Sequence, residues 1–148
     1  MKKVYILPKI LKEYQLKIPS QSDNLSIIRD VVSKVARRIG FNTDEASKIE
    51  LAVDEACTNV IKHAYANNSN QMIEVSIKVD RKKLIIIVAD KGKGFNPDEI
   101  KLPDLNESIK EGRKGGLGLC LIKTLMDKVE FEIKPGLKNK VKMIKYFS

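Results

Sequence analysis

Ile73-Glu74-Val75-Ser76-Ile77-Lys78-Val79 leads through Asp80-Arg81-Lys82 into Leu84-Ile85-Ile86-Ile87-Val88-Ala89-Asp90. The first segment alternates apolar and polar residues, the period of a strand with one buried face. The second is a continuous apolar run of the kind that forms a central strand. A short charged turn between them makes the pair a hairpin, so the sheet that holds it contains antiparallel strands. The run ends in an acid, Asp90, at the strand end where ligand-binding residues tend to collect.

Upstream, Tyr14, Leu16 and Ile18 alternate with polar residues and predict a strand over 13–19, stopped at Pro19. Ile28, Val31, Val32, Val35 and Ile39 recur at helical spacing and predict a helix over 24–39, ended by Gly40. Thr43 is placed to cap a second helix, with Asp44 and Glu45 complementing its dipole, and the pattern then runs without Gly or Pro to Ala66. Downstream, residues 96–115 hold two prolines, mixed charges and little periodicity, which predicts a loop of roughly twenty residues acting as a lid. Leu117 to Met126 reads as a helix, Val129, Phe131 and Ile133 as a strand, Pro135-Gly136 as a turn and Val141 to Phe147 as a last strand. The expected fold class is α/β: a single domain over 1–148, a two-layer sandwich whose mixed, mostly antiparallel sheet carries its helices on one face. Solvent or a second subunit is expected to cover the other face, which makes a homodimer the expected assembly.

An apolar content of 43% with charge spread throughout is that of a globular domain. No apolar run approaches the roughly 18 residues that span a bilayer, and the Met-Lys-Lys start is not followed by an apolar segment, so a cytoplasmic location without membrane contact is expected. Cys57 and Cys120 lie among apolar neighbours outside any zinc-type spacing and read as buried thiols. The formal charge of +9 raises a nucleic-acid partner, but the basic residues are scattered. Their densest excess, Lys134, Lys138, Lys140, Lys142 and Lys145, reads as a solvated strand face, with an acidic protein partner or ligand phosphates as the alternatives. No direct nucleic-acid binding is expected.

Three elements carry chemistry. Glu55, Asn59 and His63 are spaced four apart on the second helix and follow one another along one side with about 40° of drift per step. Their side is offset from the Ile49, Val53, Ala56, Val60 stripe that faces the core, and taken alone the trio is as well read as a solvated polar face. Asp90-Lys91-Gly92-Lys93-Gly94 offers a carboxylate that accepts from an exocyclic amine, with glycines that let backbone approach a flat ring; an ordinary charged turn fits it equally. Lys114-Gly115-Gly116-Leu117-Gly118 opens a helix, where free N–H groups and the positive dipole end suit a phosphate, although a glycine hinge has the same composition.

In this order, the Glu55 to Ala64 helix, the Asp90 to Phe95 box and the Gly116-Leu117-Gly118 box resemble the histidine-kinase-like (GHKL) ATPase superfamily over about residues 13 to 147. The compact size and Glu55 look most like the bacterial anti-sigma-factor serine/threonine-protein kinases. The resemblance implies ATP and Mg²⁺ as cofactors, a small anti-anti-sigma protein as substrate and a sigma factor as second partner. It implies that Asn59 ligates the metal through its oxygen, that Asp90 holds the adenine amine, and that Gly92, Gly94 and Phe95 form the adenine box. Lys114 and the stretch Gly115, Gly116, Leu117 and Gly118 would cover the phosphates, with Lys62 and His63 as neighbours. Glu55 would accept the proton of the incoming serine hydroxyl.

The sequence departs from that pattern in the last turn, Pro135-Gly136-Leu137-Lys138-Asn139, where family members often carry Gly-x-Gly-Thr. No helical domain with a phospho-acceptor histidine is present in the sequence, nor a GxxxxGK[ST] loop, nor HRD or DFG. The competing reading is an ATP-gated binding module that transfers no phosphoryl group.

Overall fold

The computed structural model describes residues 10–66, 68, 70–93 and 117–148, with backbone alone at 117 and 118. The predicted hairpin is the middle of the molecule: β2 (Met72–Val79) pairs antiparallel with β3 (Lys83–Asp90), Ile77 opposite Ile86 and Val75 opposite Val88. Asp80 shapes the turn, its Oδ1 accepting from the N–H groups of Lys82 and Lys83 at 2.7 and 2.9 Å. β1 (Lys12–Pro19) adds to the outer edge of β2, and β5 (Lys138–Tyr146) and β4 (Lys128–Lys134) follow beyond β3, giving the order β1-β2-β3-β5-β4. Every described pairing is antiparallel, so the mixed sheet expected from sequence is corrected: each neighbour pair among the described strands runs in opposite senses.

The register sorts the residues into two faces. Leu16, Val75, Val88, Val141 and Phe131 form one row, and Tyr14, Ile77, Ile86, Met143 and Val129 the next; both lie on the face that joins the buried core. Three helices supply the other half of that core: α1 (Leu25–Arg38) with Ile28, Val32 and Val35, α2 (Thr43–Asn59) with Ile49, Val53 and Ala56, and α3 (Leu117–Leu125) with Ile122. The stacked rings of Phe41 and Phe147, 4.9 Å between centroids, join the α1–α2 connection to the end of β5.

The opposite face, expected to be covered by solvent or a second subunit, is apolar at its centre and charged around it. Its central residues Ile85, Ala89 and Ile144 are buried although they point away from the helices. Lysines and glutamates surround them, paired as Lys138–Glu74 at 3.2 Å, Lys128–Glu130 at 3.0 Å and Lys142–Glu130 at 3.8 Å. The acids that meet Lys138 and Lys142 of β5 sit on β2 and β4, strands that the pattern of β5 itself does not reveal. No helix among the described residues is long and apolar enough to cross a membrane.

Two details of α2 differ from the sequence reading. Asn42, rather than Thr43, is the cap: its Oδ1 accepts from the Glu45 N–H at 2.8 Å, while Thr43 is already the first helical residue. The helix is also not regular to Ala66. It ends as an α-helix at Asn59 and continues as a π-turn over Val60–Ala64, closed by the Tyr65 N–H on the Val60 carbonyl at 2.9 Å. Such bulges collect at functional sites because they redirect side chains without ending the helix.

Candidate nucleotide site

The π-turn leaves the Ala64 carbonyl at the end of the helix, and the strand that ends in Asp90 docks on it. Lys93 donates its N–H to the Ala64 oxygen at 3.3 Å. Gly92 lies so close that an added Cβ would sit 2.3 Å from that oxygen and 2.6 Å from its carbon. The glycine expected to admit a flat ring is therefore also required where two backbone segments touch.

Tyr65 fixes the same junction. Its buried hydroxyl donates to the Met72 carbonyl at 2.9 Å and accepts from the Lys91 N–H at 2.7 Å, tying the π-turn to the start of β2 and the end of β3. Burial raises the phenol pKa, which keeps its proton available for the Met72 bond. Tyr65→Phe leaves a donor and an acceptor unmatched and is expected to cost about 2 kcal/mol, read as a lower midpoint in thermal denaturation. A midpoint equal to that of the wild type would remove Tyr65 from this role.

Asp90 itself is 9% exposed. Its Oδ1 accepts from the Gly92 N–H at 2.8 Å and from the Asn139 side-chain amide at 3.0 Å. The same amide donates to the Gly92 carbonyl at 2.9 Å, and the Asn139 oxygen accepts from the Lys134 N–H at 3.1 Å. Gly136, in the left-handed region at φ 74°, brings the β4–β5 turn back so that its N–H also reaches the Gly92 carbonyl, at 2.9 Å. Among the described residues no donor reaches Asp90 Oδ2. The carboxylate thus has one oxygen engaged and the other without a donor among the described residues. A cavity of about 140 Å³ beside Asp90 is lined by Lys17, Glu74, Ala89 and Lys138, which the register puts on the far side of the sheet. It is too small for a nucleotide.

At the other end, Glu55 and Asn59 are half-buried on α2, with Lys62 and His63 exposed in the π-turn. Burial raises the Glu55 pKa above its ordinary value and the neighbouring Asp54 raises it further, while Lys62 pulls it down. Asp54 is held by Arg29 of α1 at 2.8 Å. The Asn59 side-chain nitrogen is buried without a hydrogen-bond partner among the described residues. An amide left unmatched in this way fits a ligand position, and its oxygen is of the type a hard cation takes. No group of three or more His, Cys, Asp or Glu gathers among the described residues.

The structure thus joins Asp90 and Gly92 to the C-terminal end of the α2–π-turn unit and puts Glu55, earlier in the same stretch, within electrostatic reach of Lys62. Leu117 and Gly118 open α3, seen as backbone. Gly94, Phe95, Lys114, Gly115 and Gly116, with the 96–115 lid, lie outside the described residues. Sequence reasoning missed Tyr65 and Asn139. A tyrosine near the end of an expected helix and an asparagine in a turn carry no signal by type; only the pairing partners give them meaning. Cys57, with its pKa pushed up to about 12 by burial, is an inert core thiol.

Residues 18–145 match the family model described as the histidine kinase-like ATPase domain. The chain is 37% identical over 139 residues to the serine-protein kinase RsbW of Bacillus subtilis, covering 90% of this chain and 85% of that protein. RsbW of Staphylococcus aureus is 36% identical over 137 residues, covering 89% and 85%. Among solved structures, the SiaB–SiaC complex from Pseudomonas aeruginosa aligns with a TM-score of 0.67 at 15% identity, over 91% of this chain and 89% of that one. The RsbU and RsbW domains of a Mycobacterium tuberculosis protein align with a TM-score of 0.65 at 14% identity, over 90% of this chain and 32% of that one. These two show the fold, while the sequence matches show the kinship: the chain belongs to the histidine kinase-like ATPases and, among them, to the RsbW-type serine-protein kinases.

Proposed function

We propose that this kinase transfers the γ-phosphate of ATP to a serine of a small anti-anti-sigma protein and sequesters a sigma factor, acting in the cytoplasm. The observation that carries the reading is Glu55, half-buried with a raised pKa one helical turn before an Asn59 whose amide is unmatched, on the helix whose far end is bonded to the Asp90 loop. Glu55 accepts the serine proton as the hydroxyl attacks, and a raised pKa suits it to take that proton near neutral pH. Asp90 accepts the adenine amine, with Gly92, Gly94 and Phe95 forming the box around the ring. Lys114 and the stretch Gly115, Gly116, Leu117 and Gly118 cover the phosphates, with Lys62 and His63 beside them. Asn59 is the residue that would hold Mg²⁺, which when bound neutralises charge on the phosphates.

The test is incubation of the purified chain and its co-purified partners with Mg-ATP, followed by mass-spectrometric search for phosphoserine. One small partner is expected to gain a phosphoserine. Partners that bind in an ATP-dependent way yet stay unmodified would leave only a nucleotide-gated binding module. A homodimer is proposed as the working assembly. A single-chain mass in light scattering at high concentration would exclude it.

A further inference from the structure

The geometry points to Asn139 as the residue that makes Asp90 selective for an amine-bearing purine. The inference rests on the reading of Asp90 as the adenine contact and adds how that contact is held. A carboxylate that rotates freely has two equivalent oxygens and settles on whatever donor or water is near. Asp90 has lost that freedom, because Oδ1 receives both the Gly92 N–H and the Asn139 amide. The direction of the remaining oxygen is fixed, and as an ionised acceptor it matches an exocyclic N–H.

Asn139 is suited to hold it. It is 3% exposed, and its amide meets Asp90 Oδ1, the Gly92 carbonyl and the Lys134 N–H, using both donor hydrogens and the acceptor. A buried amide with every group matched has one orientation, since turning it over would set its oxygen against a carboxylate and a carbonyl. The carboxylate oxygen left open is an acceptor. A six-carbonyl in place of the amine would then face an acceptor with an acceptor. Asn139 stands in the turn where threonine is frequent in the resembled family, and it does by a long amide what a hydroxyl there would do only with one donor.

The experiment measures affinity for ATP and for ITP, whose six position carries a carbonyl, by titration calorimetry on the full chain. The variants are Asn139→Ala, Asn139→Asp, Asn139→Thr and Asp90→Asn, each with its ligand-free unfolding midpoint. The wild type is expected to prefer ATP. Asn139→Ala is expected to lose that preference by about tenfold, the size of one hydrogen bond to a charged group. Asn139→Asp, with two carboxylates in contact, is expected to lose more, and Asn139→Thr, which keeps a donor, to recover part. A purely structural role predicts equal losses for ATP and ITP that follow the unfolding midpoint, and that result would overturn the inference. Asp90→Asn separates the two levels: if it abolishes the preference while the Asn139 variants keep it, Asn139 alone is ruled out. If Asp90→Asn retains the preference, the adenine reading falls and the inference with it.

Discussion

Glu55→Gln is expected to reduce phosphoryl transfer by about 10²- to 10⁴-fold while ATP affinity and the fold are kept, because a positioned general base contributes on that scale. Glutamine has the shape of glutamate and cannot take the proton. The pH dependence provides a second readout. The folded chain raises the Glu55 pKa by burial first and by Asp54 second. The active, ionised form therefore accumulates at higher pH than for an exposed glutamate, and the acid limb of the rate profile moves up with it. Lys62 acts in the opposite sense, so Lys62→Ala moves that limb further up. Stability follows the same shift with its own sign. The folded state holds the Glu55 proton more tightly than the unfolded state, so the associated stability is present at low pH and is lost as pH rises through the folded pKa. Glu55→Gln removes a charge that resists burial and leaves the neutral-pH unfolding midpoint unchanged or raised. A variant that transfers phosphate at the wild-type rate would remove Glu55 from catalysis.

Gly92→Ala is the second large effect. The added carbon falls 2.3 Å from a backbone oxygen, and neither the Ala64 carbonyl nor its neighbours can swing aside as a flexible side chain would. Relief requires the Asp90 loop to lift from the π-turn, which breaks the Lys93–Ala64 bond and loosens the Asp90–Gly92 bond. The expected cost is about 3 kcal/mol, the upper end for overpacking, together with loss of ATP binding. Gly136→Ala is the control. Its site has φ 74° and nothing within 4 Å of an added carbon, so only backbone strain of about 1 kcal/mol is expected there. Denaturant unfolding of the two variants checks the contrast, and equal midpoints would mean that the Gly92 approach carries no strain.

Much of this arrangement was legible because it is local. The alternation in Ile73–Val79 and the apolar run before Asp90 are the physical causes of β2 and β3, and the stripe at Ile49, Val53, Ala56 and Val60 is the cause of the buried side of α2. The order of the polar boxes carried the resemblance. What sequence could not supply is long-range. Lys138 meets Glu74, and Asn139 meets Asp90, across segments that only strand order brings together. β5 begins at Lys138, ahead of the Val141 start expected from its apolar residues, because its first positions are fixed by pairing with β3 rather than by pattern. The π-turn has no residue signature either: Val60-Ile61-Lys62-His63-Ala64 contains neither Gly nor Pro, and its geometry is set by what Tyr65 and Ala64 bond to.

That turn has a consequence for how the chain tolerates change in length. A π-turn accommodates one residue more than the α-helical spacing would, and deleting one residue from Val60–Ala64 would restore a regular helix. Such a deletion, at Lys62 or His63, would leave the segment beyond it close to its present phase, because the wide turn already absorbs the extra residue. Forcing all five residues into a regular α-helix would instead turn everything beyond them by a large part of one residue's roughly 100°, carrying the Tyr65 hydroxyl off Lys91 and the Ala64 carbonyl off Lys93. The bulge works as a vernier, setting the angle between the helix that bears Glu55 and Asn59 and the loop that bears Asp90. Regularising the helix without removing a residue would put those two segments out of alignment.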